Sequence, residues 1–338
     1  MLIFPGYEVG TRNRPAWGCT PCALRCGRMG QLRGSAVRRG DYLGIDIGGT
    51  KTSAVLASQD SPDTPHASAR AGSANVQNVS REEAAAALAS LASQLESASP
   101  GWAGRVGSVV IGAGGVDTPE DAARLASLAS EQLGIPRGRF RVVHDTRLIL
   151  AANHHDTGIG VILGTGSVAW GVTAEGRESR SGGWGYLLGD EGSAWWFGRE
   201  AVRESLRAFE SEDDDALVPL VVDRAGVASA ERLIGAFHED PSRTRWAGLA
   251  PVVFEAAAAG SARAAAIIEG GVEAAADLIV SVADRLGSEG PVVCGGGLVQ
   301  NQPSFASRLA ERLAGEGLPE MQVLEREPVM GALYVASR

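Results

Sequence analysis

Apolar residues along this chain follow two patterns, short runs that end in glycine and longer stretches with helical spacing. The first run lies in residues 42–58, YLGIDIGGTKTSAVLAS, where two β-prone segments flank a glycine pair. Two β-prone segments joined by a glycine turn predict a β-hairpin whose turn presents backbone N–H groups. We therefore expect two hairpin strands here, and related elements further along the chain.

The residues of this turn suit a polyphosphate bound together with magnesium. Gly48 and Gly49 let the main chain approach a ligand closely. Thr50 offers a hydroxyl, and Asp46 ends the first strand as a carboxylate. A Walker A loop is excluded, because Thr50 stands where its lysine should be and β-prone residues follow in place of a helix. An ordinary Gly-Gly hairpin remains an alternative on these residues alone.

Strands and helices alternate after the hairpin. Residues 67–71 predict a third strand, and residues 80–95 begin with a capping box and continue as an Ala-rich helix with leucines on one face. Residues 108–115, SVVIGAGG, predict a strand that runs into glycines, and residues 118–134 predict a helix between a proline start and a glycine stop. A further strand over residues 140–144 precedes another helix over residues 146–154.

The opening pattern then returns at residues 159–172, IGVILGTGSVAWGV, with Thr165 and Ser167 in the turn. Two copies of a glycine hairpin, each followed by α/β segments, predict two similar lobes that close on a nucleotide. The second half is mostly helical. It also contains a predicted strand at residues 291–294 that runs into three glycines, and a last helix over residues 328–336 ends the chain.

Residues 182–202, GGWGYLLGDEGSAWWFGREAV, combine glycines, tryptophans and two adjacent carboxylates ahead of a helix. The first N–H groups of a helix are free to bind an anion or a capping side chain. Asp190 is therefore either part of a binding site or an N-terminal cap near Ser193. The residues alone leave both interpretations open.

Length and charge narrow the range of functions. A chain of 338 residues predicts about two domains. It has no apolar run long enough to span a bilayer, and its formal charge of −9 argues against nucleic-acid binding. We therefore expect a cytoplasmic protein with no nucleic-acid or membrane partner.

The first 40 residues differ from the remainder in charge. They carry seven Arg and one Glu, a balance of 7 − 1 = +6 that leaves −15 for the rest of the chain. We expect residues 1–40 to be a disordered N-terminal extension, possessing neither a signal-peptide core nor amphipathic periodicity. Cys19, Cys22 and Cys26 lie within it and lack a fourth metal ligand. Cys294 stands alone in an apolar strand and predicts buried packing.

Six short motifs follow one another along the chain: DIGGT, VVHDT, LGTGS, GGWGYLLGDEGSAWW, CGGGLVQN and EPVMGAL. In this order the chain resembles the BadF/BadG/BcrA/BcrD ATPase family of the actin-like, sugar kinase and Hsp70 superfamily, and within it the N-acetylglucosamine kinases. The resemblance covers about residues 42–337. It implies an α/β, two-lobed ribonuclease H-like (actin-like ATPase) fold with a nucleotide and sugar cleft between the lobes. The implied lobes are residues 41–146, joined by the helix at 328–338, and residues 147–327.

The resemblance also implies ATP and Mg²⁺ as cofactors and assigns roles to individual positions. The ATP and phosphate contacts it implies are Gly48, Gly49, Thr50, Lys51, Gly164, Thr165, Gly166, Gly295, Gly296 and Gly297. The sugar contacts it implies are Asn75, Asp145, Gly183, Trp184 and Asp190. Asn78 is an alternative to Asn75, Asp145 matches the general base, and Asp46 matches the carboxylate that holds magnesium through water.

The leading hypothesis is an ATP-dependent kinase that phosphorylates the 6-hydroxyl of N-acetylglucosamine, acting as a homodimer. Glucosamine is the alternative substrate, with Glu191 as a candidate contact for its free amine. N-acetylmuramic acid is a third alternative. A regulator or ATPase activator that binds nucleotide without turnover is an alternative of another class. Residues 41–338 contain no C-x-C-G cluster of the kind found in other DIGGTK kinases. The single cysteine there disfavours the iron–sulfur activators of 2-hydroxyacyl-CoA dehydratases.

Overall fold

The computed structural model describes residues 40–116, 118–287 and 290–338, and its architecture is built on β-sheets. Within these ranges the strands form two five-stranded sheets, with orders β3-β2-β1-β4-β5 and β10-β9-β6-β7-β8. The strands of the first are β1 Asp41–Ile47, β2 Lys51–Ala57, β3 Pro65–Gly72, β4 Val106–Ala113 and β5 Phe140–His144. Those of the second are β6 Gly158–Leu163, β7 Ser167–Val172, β8 Glu178–Gly182, β9 Val292–Gly295 and β10 Met321–Val323.

The two sheets have the same topology. In the first, β1 pairs antiparallel with β2 and parallel with β4. In the second, β6 pairs antiparallel with β7 and parallel with β9. Renumbering β6, β7, β8, β9 and β10 as first to fifth reproduces the order of the first sheet. The duplication predicted from the two glycine hairpins therefore extends to the complete sheets.

Helices cover these sheets. The α-helices of the described residues are α1 Arg81–Ala98, α2 Trp102–Arg105, α3 Pro119–Leu133, α4 Asp145–Ala152, α5 Ala194–Glu210, α6 Leu217–Ala225, α7 Leu233–Glu239, α8 Arg243–Ala247, α9 Ala250–Ala258, α10 Ala262–Leu286, α11 Gly297–Asn301, α12 Pro303–Gly315 and α13 Pro328–Ala336. The predicted capping box is present, with Ser80 as the N-cap of α1 and Glu83 as its partner. A second box starts α3 at Thr118, and Gly134 ends that helix in a left-handed conformation. Such caps satisfy backbone groups that helix ends leave unpaired.

The central strand of the first sheet is buried on both faces. Leu43 and Ile45 belong to the core that includes α1 and α3, whereas Tyr42 packs with α13. Alternate residues of a strand point to opposite faces, so a strand covered on both sides is apolar throughout. A Cβ at Gly44 would lie 2.9 Å from the carbonyl oxygen of Val329, so glycine there lets α13 lie directly on the sheet.

Helix α4 connects the two sheets. Its Leu148 and Ala151 join the cluster of α13 and the first sheet, while Ile149 and Leu150 join a cluster with strands of the second. The last helix, α13, packs on β1, β2 and β4, so the end of the chain returns to the first sheet. Both sheets belong to one compact unit, Arg39–Arg338. The lobe boundaries at residues 146 and 327 stay a prediction.

Two predictions about cysteines have different outcomes. Cys294 is fully buried in β9, where burial raises the pKa of its thiol to about 12, so its packing role is confirmed. The expectation for the N-terminal extension, with Cys19, Cys22 and Cys26, falls on residues 1–39, which lie outside the described residues. Within the described ranges, every helix is too short or too polar to cross a bilayer.

The elements that the sequence pattern failed to resolve are short or lie at edges. Strand β8 is partly buried and carries Ser and Arg, and β10 has only three residues. Neither is long enough to show a clear alternation. The predicted helix at 146–154 begins one residue earlier, at Asp145, and His144 is its N-cap.

Candidate functional site

A cavity of about 390 Å³ is lined by both glycine turns and by residues of both sheets. Gly48, Gly49 and Thr50 line it from the first turn, and Thr165 and Gly166 from the second. Three carboxylates line it as well: Asp46, Asp145 and Asp190. Elements distant in sequence therefore meet at one cleft, where backbone N–H groups, hydroxyls and carboxylates are available together.

The first turn joins β1 to β2 and is held lightly. Gly48 N–H donates to the Lys51 carbonyl at 2.9 Å, and the Ser73 hydroxyl donates to the Gly48 carbonyl at 2.9 Å. Gly49 and Thr50 are exposed. The hydroxyl oxygen of Thr52 is buried and accepts from Ala74 N–H at 2.9 Å, so it supports the loop that follows β3.

The second turn joins β6 to β7 and is held from several sides. Gly164 N–H donates to the Gly166 carbonyl at 3.0 Å. The N–H groups of Ala194 and Trp195, at the start of α5, donate to the carbonyls of Gly164 and Thr165 at 2.8 and 3.4 Å. The first N–H groups of this helix are therefore engaged by the turn and are not free for an anion.

Asp190 secures the same turn. Its Oδ1 accepts from Ser167 N–H at 3.2 Å, and a Cβ at Gly166 would lie 2.9 Å from that oxygen. Ser193 is the N-cap of α5, so the interpretation of Asp190 as that cap is wrong. Burial raises the pKa of the Asp190 carboxyl, opposed by the Ser167 N–H and the charge of Arg243. Asp190 has a left-handed backbone, φ 63°, and lines the cavity.

Asp46 and Asp145 form a pair of carboxylates at the first sheet. The pKa of Asp46 is raised to about 7, first because of burial and then because of the charges of Asp145 and Glu327. The charge of Lys51 acts in the opposite direction. A buried carboxyl whose ionisation is further disfavoured by a neighbouring carboxylate fits a site completed by a cation.

Asp145 begins α4 at the end of β5. Its Oδ1 accepts from Thr146 N–H at 2.9 Å and lies 3.0 Å from His144 Nδ1. His144 Nδ1 also lies 2.7 Å from the Thr146 hydroxyl. Oδ2 of Asp145 faces Gly114, and a Cβ at Gly114 would lie only 2.9 Å from that oxygen. One oxygen of this carboxylate is therefore held by its neighbours, and the other faces the cavity.

The residues expected to contact the sugar fall into two groups. Gly183 and Asn78 line the cavity, and Arg243 donates to Asn78 Oδ1 at 2.8 Å. Asn75 is nine-tenths buried and lines a separate cavity beside the first one. Trp184 is 66% exposed, lines neither cavity and lies under the guanidinium of Arg180 at 4.8 Å. Of the two asparagines weighed from the sequence, Asn78 is the one at the main cavity.

Of the other residues expected to bind phosphate or ATP, one lines the cavity and four do not. Gly296 lines the cavity and has φ +108°, and a Cβ there would lie 2.5 Å from the Leu163 carbonyl oxygen. Gly164 in the second turn, Gly295 at the end of β9 and Gly297 at the start of α11 do not line the cavity. Lys51 does not line it either and acts on Asp46 through its charge. Glycine is thus required at Gly296 by backbone approach and by its positive φ.

Several residues of the cavity were not assigned a role from the sequence. Arg180, Arg243, His144 and Gly114 all line it. Arg243 comes from the short helix α8, 243 − 166 = 77 residues beyond the second turn, in a region whose helices the pattern did not resolve. His144 lies within the VVHDT motif and Gly114 within the glycine-ended run at 108–115, so these two had a clue in the sequence that Arg180 and Arg243 lacked.

Comparison with known proteins agrees with the motifs. Residues 43–336 match the BadF/BadG/BcrA/BcrD ATPase family. The chain is 29% identical over 312 residues to the N-acetyl-D-glucosamine kinase of Dictyostelium discoideum, covering 87% of this chain and 97% of that protein. It is 33% identical over 178 residues to the N-acetylmuramic acid/N-acetylglucosamine kinase of Clostridium acetobutylicum, covering 52% of this chain and 56% of that protein.

The fold has a solved counterpart. A crystal structure of the candidate N-acetylglucosamine kinase of Chromobacterium violaceum has a TM-score of 0.69 and 25% identity, covering 88% of this chain and 99% of that chain. The two-lobed α/β fold expected from the sequence is therefore confirmed.

Proposed function

The chain belongs to the BadF/BadG/BcrA/BcrD ATPase family, and we propose that it is an ATP-dependent amino-sugar kinase that phosphorylates the 6-hydroxyl of N-acetylglucosamine. One observation carries the proposal. Both glycine turns and Asp145 line a single cavity, which supports a site where phosphates are bound beside a carboxylate base. The relatives named as N-acetylglucosamine kinases support the choice of sugar.

Phosphoryl transfer depends on positioning and charge neutralisation more than on covalent help from the protein. The N–H groups of the turn residues that line the cavity, apart from that of Gly48, which donates to Lys51, suit the phosphates of ATP together with the hydroxyls of Thr50 and Thr165. Asp46 would hold Mg²⁺ through water, and the ion would neutralise charge on the phosphates. The raised pKa of Asp46 beside Asp145 supports this assignment, because a bound cation removes the repulsion between the two carboxylates.

We assign Asp145 as the general base. Its Oδ2 accepts the proton from the sugar hydroxyl as the hydroxyl oxygen forms a bond to the γ-phosphorus and ADP leaves. The Thr146 N–H holds Oδ1, and His144 Nδ1, when protonated, donates to the same oxygen. These contacts leave Oδ2 as the oxygen available to the sugar.

N-acetylmuramic acid is a second candidate substrate, favoured by one observation. Arg180 and Arg243 both line the cavity close to Gly183 and Asn78. A guanidinium group recognises a carboxylate, which N-acetylmuramic acid carries and N-acetylglucosamine lacks. The proposal also includes a homodimeric state and a cytoplasmic location, both supported by the family resemblance.

A coupled assay of ADP release tests the function. Purified protein with ATP and Mg²⁺ is offered glucosamine, N-acetylglucosamine and N-acetylmuramic acid, and kcat/KM is measured for each. We expect ADP release that requires a sugar, with N-acetylglucosamine preferred to glucosamine. ADP release without sugar, unchanged by every sugar in the panel, would support the nucleotide-binding regulator or activator and reject the kinase.

A further inference from the structure

Arg243, the first residue of α8, connects the two lobes at the main cavity. Its Nη2 donates to Oδ1 of Asn78, in the loop after β3, at 2.8 Å. The Asn78 N–H donates in turn to the Asn75 carbonyl at 2.8 Å, so the acceptor residue is held by its own loop. Both Arg243 and Asn78 line the cavity. A cation of the second lobe therefore reaches the first lobe at the proposed site.

The partner of this arginine lies against the first glycine turn. A Cβ at Gly49 would lie 3.2 Å from Nδ2 of Asn78, so the Asn78 amide is next to that turn. Gly49 is exposed and lines the cavity as well. Because the same amide accepts the hydrogen bond from Arg243, one side chain separates the guanidinium from the first turn.

The guanidinium also acts on the support of the second turn. Burial raises the pKa of the Asp190 carboxyl, and the Ser167 N–H and the charge of Arg243 oppose that rise. The ring of Tyr186 lies 5.8 Å from the guanidinium carbon of Arg243, within the range of a cation–π contact. Arg243 is thus bonded beside the first turn and acts through its charge on the carboxylate that holds the second.

The chemistry of the site requires positive charge at this place. Three carboxylates line the cavity, and the phosphates of ATP add further negative charge. Phosphoryl transfer is accelerated by arginine, lysine or metal ions that neutralise the transferring group. Lys51 is the only lysine of the chain and does not line the cavity. Of the described arginines that line it, Arg180 lies 4.8 Å from the ring of Trp184, whereas Arg243 is bonded beside a turn.

Resting on the proposed function, we propose that Arg243 is a further catalytic residue, which binds the γ-phosphoryl group of ATP between the two turns. The sugar 6-oxygen forms a bond to the γ-phosphorus, and its proton passes to Asp145 Oδ2. The bond from the γ-phosphorus to the bridging oxygen breaks, and its electron pair leaves with ADP. Arg243 exchanges no proton. Its guanidinium has five N–H groups, of which one is bonded to Asn78 and the others serve the γ-phosphoryl oxygens.

The first test measures binding and needs no turnover. The β,γ-imido analogue of ATP and ADP, each with Mg²⁺, are titrated by calorimetry into the wild type and Arg243→Ala. A residue that contacts the γ-phosphate favours the triphosphate alone. We expect Arg243→Ala to weaken binding of the ATP analogue roughly tenfold or more, which corresponds to one hydrogen bond to a charged group, and to leave ADP binding unchanged.

Arg203→Ala is the matched control for the loss of a positive charge from the second lobe. The Arg203 side chain in α5 is 50% exposed, pairs with Glu200 at 3.1 Å and lines neither the main cavity nor the one beside it. We expect this variant to bind both nucleotides as the wild type does. Thermal melting of each variant shows that it is folded, and Arg243→Lys, which keeps the charge, is the second variant at the proposed site.

The second test measures turnover with N-acetylglucosamine, which carries no carboxylate. Arg243→Ala should lower kcat roughly a hundredfold with the KM for the sugar unchanged, in line with the removal of one donor aimed at the transferring charge. Arg243→Lys should recover part of this loss. Asn78→Ala should lower kcat at most about fivefold, because it removes only the contact that orients the guanidinium.

Three results would overturn the assignment. One is equal affinity of wild type and Arg243→Ala for the ATP analogue. Another is an equal loss of kcat in Arg243→Ala and Asn78→Ala with no further loss in the double variant, which would make the bond between the lobes the whole role of Arg243. The third is a loss confined to N-acetylmuramic acid, which would assign Arg243 to the carboxylate of that sugar.

Failure of the proposed function is distinguishable from failure of this assignment. If the wild type phosphorylates none of the sugars, the kinase is rejected and the binding test alone decides the role of Arg243. Weaker binding of the ATP analogue by Arg243→Ala, with ADP binding kept, then supports the γ-phosphate contact. Equal binding by the two proteins rejects it.

Discussion

The two glycine turns have the same length and join equivalent antiparallel strands, β1 to β2 in the first sheet and β6 to β7 in the second. The protein nevertheless supports the two turns differently. The turn at 48–50 is held by one turn hydrogen bond and one serine hydroxyl, and two of its residues are exposed. The turn at 164–166 is held by the first N–H groups of α5 and by the buried carboxylate of Asp190. One sequence pattern thus yields a lightly held loop in the first lobe and a fastened one in the second.

The three carboxylates that line the cavity also differ between the two lobes. Asp46 and Asp145, from the first lobe, line the cavity, and Asp145 is held through Oδ1 by the Thr146 N–H of its own helix while its Oδ2 faces Gly114. Asp190, from the second lobe, uses Oδ1 to secure a turn. We infer that the first lobe supplies most of the chemistry and the second lobe a rigid platform. The following experiments separate these roles.

The largest effect is expected for Asp145→Asn. Asn keeps the shape of the side chain but is not a proton acceptor at neutral pH, so kcat should fall by roughly two orders of magnitude or more. Melting temperature and ATP affinity should stay close to wild type, because the amide oxygen of Asn can still accept from the Thr146 N–H at the start of α4. Turnover and thermal melting check both points. Near-normal turnover in the folded variant would shift the role of base to Asp190.

A second experiment compares the turns directly through Thr50→Val and Thr165→Val. If each hydroxyl contacts a phosphate, each variant loses a hydrogen bond to a charged group, which is worth about 1.5 to 3 kcal/mol. The KM for ATP should then rise by roughly tenfold or more, while the KM for the sugar stays nearly constant. Steady-state kinetics with each substrate varied gives both values. Equal changes in both KM values would contradict a two-sided phosphate site.

The third experiment removes the support of the second turn by Asp190→Ala. Ser167 N–H is buried and loses its acceptor, so the free energy of unfolding should fall by about 1 to 3 kcal/mol. Asp63→Ala, at an exposed position, is the control and should stay within about 0.5 kcal/mol of wild type. Denaturant titration measures both. A stability of Asp190→Ala equal to that of the control would show that α5 alone fastens the turn.

The smallest effect is expected at His144, which positions the base without touching the sugar in our scheme. His144→Ala removes a contact of about 1 kcal/mol to Asp145, so kcat should fall roughly fivefold with the KM for the sugar unchanged. His144→Asn places an amide near the position of Nδ1 and should restore most of the rate. A loss in His144→Asn as large as in His144→Ala would mean that the ring matters only for packing.

The sequence by itself determined the local elements of this protein. Strand, glycine turn and strand at 42–58 and 159–172 became β1–β2 and β6–β7, and the capping box at Ser80 started α1 as predicted. Such features depend on residues within a few positions of one another, where backbone propensity and capping decide the outcome. The motif order extended this to the family, and through the family to the two-lobed fold.

Only the tertiary structure decided which side chains share the cavity. It brought Asn78 and Arg243 to the main cavity, put Asn75 in the wall of a second one and left Trp184 exposed. It also showed Asp190 supporting a turn in place of capping a helix. These outcomes depend on contacts between segments far apart in the chain, such as α8 against the loop after β3. No local pattern encodes such contacts, because side-chain position there follows from how the two lobes pack.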